Sequence, residues 1–319
     1  MKASAADHAV PRSGLARWIY ALKPVSWPKL FVPALLGQVL GATSAEGLDP
    51  VALGWGLAFT SLGLGFIVLL NDWGDRRVDA IKREMFPEGC SPKTIPDGIL
   101  PAPAVGLAGA VLGCGASLAA AGAQLSLGRS FALPAGLGCM LIFVAYTLPP
   151  LRLNYRGGGE VLEMLGVGIA LPSYNAYLQA GSISPTSWPW IAGFALLSLA
   201  SAAASGLSDE QSDRIGGKRT LASTVGNAAA RRVSETCVLL GAGVWLGASL
   251  LKPAWVSPWA SIPALIILAW NFAQLRKVSD EAVTNAFGAQ GAYKLHLHRA
   301  IWHSTTVAAL VLWLQPSFA

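Results

Sequence analysis

Long apolar segments, separated by short polar ones, run through this sequence from residue 26 to residue 315. As a helix with a rise of about 1.5 Å per residue, each segment crosses much or all of a hydrocarbon layer roughly 30 Å thick. We therefore expect an all-α, polytopic membrane protein with about nine transmembrane helices. The predicted helices are 26–45, 51–70, 102–125, 131–149, 161–180, 188–206, 233–251, 258–275 and 300–315.

The composition agrees with a membrane environment. Charged residues make up 13% of the chain and apolar residues 53%, whereas about a quarter of the residues in a soluble domain are charged. Gly, Ala and Ser recur at close spacing within several predicted helices, as over 198–206, and small residues let membrane helices approach one another closely. We expect a single packed domain over 1–319, with a polar N-terminal tail over 1–17.

The positive charge is distributed unevenly between the two sides of the predicted helices. Among the loop cations, only Arg129 and Lys252 lie on the side opposite the N-terminus. The positive-inside rule then puts the N-terminus and the other basic loops in the cytoplasm, with the protein in the inner (cytoplasmic) membrane. This asymmetry, together with the lipid bilayer and its anionic headgroups, accounts for the net charge of +6, and we expect no nucleic-acid partner.

A polar cluster over 71–79 directly follows the second predicted helix. At ~100° per helical residue, its carboxamide and three carboxylates fall within an arc of roughly 100°. The residues on this face are Asn71, Asp72, Asp75 and Asp79. Such a face repels itself unless a cation binds, and oxygen ligands favour Mg²⁺, which keeps water and takes up substrate phosphates. The alternative is a solvated helix end neutralised by Arg76 and Arg77.

A second cluster, over 208–220, also follows an apolar run. Asp209 and Asp213 are four residues apart and share a face if the segment is helical. Lys218 and Arg219 supply additional positive charge. Two carboxylate faces at the same membrane level are suited to hold two or three Mg²⁺ ions around one diphosphate, which predicts machinery for ionising an allylic diphosphate.

Two more loops on the predicted cytoplasmic side carry cations. In the loop over 90–99, proline and glycine residues favour turns that hold Lys93 in place. The loop over 146–160 presents Arg152 and Arg156 beside three consecutive glycines. For this second loop, the alternative is an ordinary connection whose arginines only set the topology.

Polar residues also lie inside the fifth predicted helix. Tyr174 and Asn175 follow Pro172, and polar groups at that depth usually face a cavity or another helix. Both are candidates for lining a cavity that binds the acceptor, and helix packing is the alternative.

Taken in order, these elements resemble the motifs of the UbiA superfamily of intramembrane prenyltransferases, over nearly the whole chain. The cluster over 71–79 is similar to the family pattern N-D-x-x-D-x-x-x-D. Asp209-x-x-x-Asp213, followed by 217–220, is similar to the menaquinone-branch form of the second motif.

The two loops carry further elements of the same resemblance. The loop over 93–98 resembles the family's R-P-(I/L)-P-S-G, and Tyr146 with 149–157 resembles its Y-x-x-P-P and Y-R-G elements. The sequence departs from the family at Lys93-Thr94, where the family has Arg-Pro. Lysine keeps the charge of arginine but not its bidentate fork.

The resemblance implies nine helices around a central cavity with a cytoplasmic cap, and a Mg²⁺-dependent active site. By motif position, Asn71, Asp75 and Asp79 would bind one Mg²⁺, and Asp209 and Asp213 another. Asp72 would be the catalytic residue that serves the acceptor or takes its proton. The residues expected to hold the diphosphate are Arg76, Lys93, Tyr146, Arg152, Arg156, Lys218 and Arg219.

Three functions are compatible with these features. The first is transfer of a prenyl group from an allylic prenyl diphosphate to an aromatic or other hydrophobic acceptor. The second is a membrane terpene cyclase on the same scaffold, in which the cation closes on itself. The third is an ion-coupled transporter, which is disfavoured because the acids lie at loop junctions rather than at the membrane midplane.

Overall fold

The chain is helical throughout the part that the structure, a computed structural model, describes. Residues 13–45 and 47–315 are described, and they contain no β-strand. The α-helices are α1 (Gly14–Ala21), α2 (Pro28–Ser44), α3 (Pro50–Met85), α4 (Ala102–Leu127), α5 (Ala132–Thr147), α6 (Gly159–Glu163), α7 (Leu171–Ala180), α8 (Trp188–Ser205), α9 (Glu210–Gly216), α10 (Leu221–Val225), α11 (Asn227–Leu251), α12 (Pro258–Ser279) and α13 (Phe287–Leu314). The predicted all-α class is confirmed.

Each predicted membrane segment coincides with helix in the structure. For the window 161–180, the helix consists of α6, a π-helical stretch over Met164–Ala170, and α7. Five of the described helices are long and apolar enough to cross a membrane, in α3, α4, α8, α11 and α12. The protein is thus an integral membrane protein, and the exact number of nine spans stays a prediction. Residues 1–12 of the predicted polar tail lie outside the described residues, and α1 begins at Gly14.

Helix ends follow local rules of capping. α3 starts with Pro50 behind Asp49, whose carboxylate accepts the backbone N–H groups of Val51 and Ala52, and both residue types favour a helix start. Gly128 ends α4 in the left-handed region with φ 64°, which glycine adopts without a steric penalty. With 36 residues, α3 is long enough to carry its apolar half through the bundle and its polar end into the predicted active site.

Close helix contact fixes α2 against α7. A Cβ atom added at Gly37 would lie 2.1 Å from the carbonyl oxygen of Pro172, and one at Gly41 would lie 2.4 Å from that of Ala176. Gln38 Nε2 donates to Asn175 Oδ1 at 2.7 Å across the same contact. Small residues and buried amides hold membrane helices together in this way because lipid supplies no hydrophobic driving force between them.

The π-helical stretch lies where the predicted fifth span meets Pro172. Leu171 N–H bonds to the carbonyl of Gly166, five residues earlier. Pro172 has no N–H to donate to the carbonyl four residues before it, and a local change to wider turns accommodates this break. The segment from α6 to α7 therefore changes its helical register where it borders the main cavity.

Candidate active site

The polar end of α3 faces a cavity of about 400 Å³. Because α3 continues without interruption to Met85, the residues of its first motif keep the helical spacing that the sequence predicts. All four of them line the cavity, namely Asn71, Asp72, Asp75 and Asp79. The predicted carboxylate face is therefore present, and Asp72 and Asp75 are only 4% and 6% exposed.

The second motif reaches the same cavity from α9. Asp209 immediately precedes this helix and Asp213 lies within it, and both line the cavity. Gly217 ends α9 with φ 73°, and this left-handed turn brings Lys218 back beside Asp213, whose carbonyl accepts the Lys218 N–H at 2.8 Å. The two aspartate clusters, far apart in sequence, thus border one cavity.

Four of the five aspartates form ion pairs with lysines. Lys218 Nζ lies 2.7 Å from Asp75 Oδ2, and Lys93 Nζ lies 2.7 Å from Asp79 Oδ1. The remaining pairs are Lys23 with Asp72, and Lys82 with Asp209 at 2.5 Å. The repulsion that the sequence predicts between bare carboxylates is thus offset by lysines from four different segments.

The pKa values of the lysines and aspartates at this site depend on both burial and neighbouring charges. Burial opposes the charged form of Lys93 and of Lys218, but the surrounding carboxylates outweigh it and raise the pKa of both. For Asp209 burial is outweighed in the same way by Lys82 and Lys93, which hold its pKa below the usual range. Burial raises the pKa of Asp213 to about 7, and the nearby Asp209 adds to the rise.

Asp213 is the aspartate of the five without a lysine ion pair among the described residues. Its Oδ2 accepts a hydrogen bond from the hydroxyl of Thr220 at 3.1 Å. Since Lys218 is already paired with Asp75, it offsets the burial of Asp213 only in part. Among the five aspartates, Asp213 would therefore gain the most stabilisation of its charged form from an additional nearby cation.

The donor set fits Mg²⁺, although its oxygens are not gathered around one point. Among the described residues, no three or more His, Cys, Asp or Glu side chains form a ready-made metal cluster. The buried Oδ1 of Asp75 nevertheless has no hydrogen-bond partner, and an unsatisfied carboxylate oxygen at a cavity wall is a suitable ligand for a hard cation. At the lysine-paired oxygens of Asp79 and Asp209, by contrast, metal binding requires that Lys93 and Lys82 first release them.

Three of the predicted diphosphate ligands line the cavity, namely Lys93, Tyr146 and Lys218. Arg152 lies behind the cavity wall instead. Its guanidinium donates to the carbonyl of Gly74 at 2.7 Å and stacks 3.7 Å from the ring of Tyr155. Arg152 thus supports the polar end of α3 from the outside.

The structure does not bring the other three predicted arginines to the cavity. Arg76, Arg156 and Arg219 are all exposed. Arg76 follows Asp75 on α3 and is therefore rotated by about 100° away from it; its guanidinium donates to the carbonyl of Trp73 and lies over that ring. Arg156 donates to the carbonyl of Pro150. These corrections arise because a motif assigns residues by sequence position, whereas a helix face or a loop sets their direction.

Tyr174 and Asn175 also lie away from the main cavity. Tyr174 packs against Phe59 at a ring distance of 4.4 Å and is 2% exposed. Asn175 is fully buried, where it donates to the carbonyl of Leu171 and accepts from Gln38. Asn175 thus has a packing role between helices, whereas Tyr174 lines a second cavity together with Ser173 and Tyr177.

Several cavity residues were not singled out by the sequence. Lys23 and Lys82 form two of the four lysine–aspartate pairs, and Lys23 reaches Asp72 from a left-handed backbone position with φ 49°. Lys29, Asn154 and Glu163 line the cavity with Lys23, whereas Lys82 lies outside the lining and reaches Asp209 from α3. Apart from Lys82, which lies on α3 three residues after Asp79, these residues come from separate segments that only the fold brings to the aspartates.

Comparison with known proteins supports the resemblance of the motifs. Residues 30–313 match the model of the UbiA prenyltransferase family. A curated relative, the 1,4-dihydroxy-2-naphthoate octaprenyltransferase of Escherichia coli (strain K12), is 29% identical over 238 residues, which cover 72% of this chain and 74% of the relative.

Solved structures show the same fold. A UbiA homolog from Archaeoglobus fulgidus bound to GPP and Mg²⁺ matches 89% of this chain and 99% of its own, with a TM-score of 0.63 and 17% identity. A UbiA homolog from Aeropyrum pernix K1 in its apo form matches 85% of this chain and 96% of its own, with a TM-score of 0.61 and 14% identity. Since a single family model spans most of this chain, the protein belongs to the UbiA prenyltransferase family.

Proposed function

We propose that this protein is a Mg²⁺-dependent intramembrane prenyltransferase that transfers a prenyl group from an allylic prenyl diphosphate to an aromatic or other lipophilic acceptor. The observation that carries this proposal is the set of five aspartates and their lysines at the polar end of a cavity whose other walls are largely apolar. The charged end is suited to bind a diphosphate, and the apolar walls are suited to bind a prenyl chain.

The proposed metal ligands divide between the two motifs. Asn71, Asp75 and Asp79 would bind one Mg²⁺, and Asp209 and Asp213 a second. Bound Mg²⁺ would stabilise the negative charge that develops on the departing diphosphate. The relevant support is that all five residues border one cavity and that Asp75 Oδ1 lacks a partner.

The lysines would change partners when substrate binds. Lys93 and Lys218 each contact a carboxylate at 2.7 Å, and a flexible ammonium group can move from a carboxylate to a nearby phosphate oxygen. Their transfer to the diphosphate would free Asp79 and Asp75 for metal, and Tyr146 would donate to the same diphosphate. The exchange keeps every buried charge paired, which a low-dielectric site requires.

The apolar walls would protect the allylic cation. Phe59, Phe66 and Phe143 line the cavity together with Tyr146, and the rings of Phe66 and Phe143 lie 5.2 Å apart in an edge-on arrangement. Aromatic faces attract cations, and an apolar wall excludes the water that would otherwise capture the intermediate. An acceptor held against these rings would then be the available nucleophile.

The names of the related proteins fit this chemistry. One relative is named a 1,4-dihydroxy-2-naphthoate octaprenyltransferase, and one similar structure contains GPP and Mg²⁺. A hydroxylated bicyclic aromatic acceptor and a prenyl diphosphate are therefore the first substrates to test.

A product assay tests the proposal directly. Purified protein is incubated with Mg²⁺ and a panel of prenyl diphosphates, with and without hydroxylated aromatic acceptors, and the products are identified by mass. We expect diphosphate release coupled to a prenylated acceptor. Release of diphosphate with a cyclised hydrocarbon and no coupled product would instead identify a terpene cyclase.

The same proposal includes a location for the site. We infer that the single domain over 1–319 lies in the inner membrane with its active site open to the cytoplasm, because nearly all loop lysines and arginines lie on that side. Cysteine labels introduced over 76–93 should react only from the cytoplasmic side, and a label at Ser182 only from the opposite side. Reversed labelling would contradict this orientation.

A further inference from the structure

A second polar region borders the main cavity, apart from the aspartate motifs. Ser26 and Lys29 reach it from the start of α2, and Asn154 and Glu163 reach it from the segment that leads into the π-helical stretch. Glu163 lies four residues after Gly159 and three before Gly166, and both glycines also line the cavity. This helical spacing means that Glu163 points from the same face of the segment into the cavity.

Glu163 is a charged group with an unfilled hydrogen-bonding capacity. Lys29 Nζ lies 2.7 Å from its Oε1, so this ion pair engages only one of the two carboxylate oxygens and leaves Oε2 for a ligand. The side chains of Lys29 and Glu163 are 25% and 15% exposed. The lysine thus pairs with one oxygen of the carboxylate and leaves the other able to accept a hydrogen bond.

Asn154 offers a second unsatisfied group in the same wall. It is 1% exposed, and both its amide nitrogen and its amide oxygen are buried without a hydrogen-bond partner. A Cβ atom added at Gly159 would contact both Asn154 and the ring of Tyr146 within 3.3 Å. Burying an amide without a hydrogen-bond partner is costly, so a polar ligand group at this position would relieve the cost.

Asp72, by contrast, has both carboxylate oxygens occupied. Oδ1 is paired with Lys23, and Oδ2 accepts the hydroxyl of Thr94 at 2.7 Å. For Asp72 to take a proton from an acceptor, its predicted role, Lys23 or Thr94 would have to release one of these oxygens. Glu163 borders the same cavity and has only one oxygen in an ion pair, so its other oxygen is available to an acceptor.

We propose that Glu163 and Asn154 bind the hydroxyl group of a phenolic acceptor and that Glu163 accepts its proton during transfer. This inference rests on the proposed prenyltransferase function. Lys29 is a positioning residue that holds the Glu163 carboxylate by an ion pair at the cavity wall.

The proposed step balances atoms and electrons. The C–O bond of the prenyl diphosphate breaks, and its electron pair leaves with the diphosphate. As the hydroxyl proton moves to Glu163, the ring carbon beside the oxygen forms a C–C bond to the allylic cation and gives a dienone. Glu163 then returns its proton to the oxygen, while the proton on the substituted ring carbon leaves to a diphosphate oxygen and aromaticity is restored.

The test compares phenolic acceptors of graded acidity in wild type and in Glu163→Gln, with Glu160→Gln as the matched control. Glu160 also borders the cavity, but its Oε1 already accepts the Leu221 N–H at 2.7 Å, an interaction that glutamine preserves. For phenols with an ordinary pKa of about 10, we expect E163Q to lower kcat by roughly 10²-fold, the size of a general-base contribution. For phenols that are ionised at the assay pH, the loss should shrink to a few-fold.

Further measurements separate this inference from a structural effect and from the proposed function. Asn154→Leu should raise KM for the phenol by about tenfold, as expected for lost polar contacts, and leave KM for the prenyl diphosphate within about twofold. Binding of pyrophosphate with Mg²⁺ should be unchanged in E163Q, which shows that the aspartate site is intact. A loss in E163Q that is equal for all phenols, or no loss at all, overturns the role of Glu163. A wild-type protein that prenylates no phenol but forms a cyclised hydrocarbon overturns the transferase proposal itself.

Discussion

Two buried ionic networks in this protein use charge in different ways. At the cavity, lysines pair with Asp75, Asp79 and other aspartates, and Asp75 Oδ1 remains without a partner. Between α11 and α12, Glu235 accepts from Ser279 at 2.6 Å on one oxygen and from Arg276 on the other. The second network leaves no carboxylate oxygen unfilled and borders no part of the main cavity.

The choice of cation differs accordingly. The cavity network uses lysine, a point charge on a flexible stem that exchanges partners readily, whereas the α11–α12 network uses arginine, whose planar fork fits one geometry. Arg231 adds to the second network by donating to the hydroxyl of Ser279 and to Asn227. Burial and ion pairing alone therefore do not identify a functional site; exchangeable partners and unsatisfied oxygens beside a cavity do.

Substitutions in the cavity network should have the largest effect on activity. Asp75→Asn and Asp213→Asn each remove a charged oxygen from the proposed metal site with little change in shape, and each should lower kcat by about 10³-fold or more. Product formation at saturating Mg²⁺ and prenyl diphosphate measures the loss, and gel filtration in detergent checks folding. Activity within a few-fold of wild type in either variant would refute the two-metal site.

The next effect concerns exchange of the lysines. Pyrophosphate should raise the apparent affinity for Mg²⁺, and by linkage Mg²⁺ should raise that for pyrophosphate, by the same factor of roughly 5- to 150-fold. The physical reason is that diphosphate draws Lys93 and Lys218 away from the carboxylates that the metal needs. Calorimetric titration of each ligand with and without the other measures the factor.

Lys218→Ala, with its exposed neighbour Arg219→Ala as the control, sharpens the titration. We expect about tenfold weaker pyrophosphate binding in the lysine variant, the value of a charged hydrogen bond, and little change in the arginine variant. Equal Mg²⁺ affinity with and without pyrophosphate in the wild type would show that the lysines do not exchange.

The α11–α12 network should respond in stability rather than in chemistry. Glu235→Gln removes the charge that pairs with Arg276 and should lower the free energy of unfolding by about 2 kcal/mol. Because Arg276 is about half exposed, this is smaller than the cost of breaking a fully buried pair. Thermal unfolding in detergent gives the stability, and kcat at a temperature well below the transition should stay near the wild-type value. A large fall in kcat at that temperature would contradict this prediction and show that the α11–α12 network also contributes to catalysis.

The smallest effect is expected at the exposed arginines. Arg76→Ala, Arg156→Ala and Arg219→Ala should each change KM for the prenyl diphosphate by less than about fivefold, because exposed charges contribute at most ~1 kcal/mol. Steady-state kinetics in buffers of low and moderate salt measures the change. A tenfold rise in KM for any one of them would restore that residue to the diphosphate site, as its motif position predicts.

The sequence predicts the helices well for a physical reason. A hydrocarbon layer demands apolar runs of a certain length, and such runs stand out whatever the tertiary arrangement. The face of α3 is predictable too, since Asn71, Asp75 and Asp79 lie at helical spacing on one uninterrupted helix. Local rules of this kind need no knowledge of which helices are neighbours.

The partners in the cavity follow no local rule. Lys82 and Asp209 are 127 residues apart, and Lys218 and Asp75 are 143 apart. Their pairing depends on where α9 lies relative to α3, which hydrophobic periodicity does not encode. Asn154 and Glu163 were missed for the same reason, since an unpaired buried amide can be recognised only when its surroundings are known. Arg76 belongs to the motif by sequence position, yet its guanidinium contacts Trp73 rather than the cavity.

The contact between α2 and α7 has a mechanical consequence. Gly37 fits so closely against the carbonyl of Pro172 that α2 can tilt only about this contact, which acts as a pivot. Lys29 lies on α2 eight residues before the pivot. Over that distance of about 12 Å, a tilt of about 5° moves the ammonium group by about 1 Å. Displacements of this size change rates strongly in positioned sites. Substitutions at Gly37, far from any reacting atom, can therefore change the preference for acceptors.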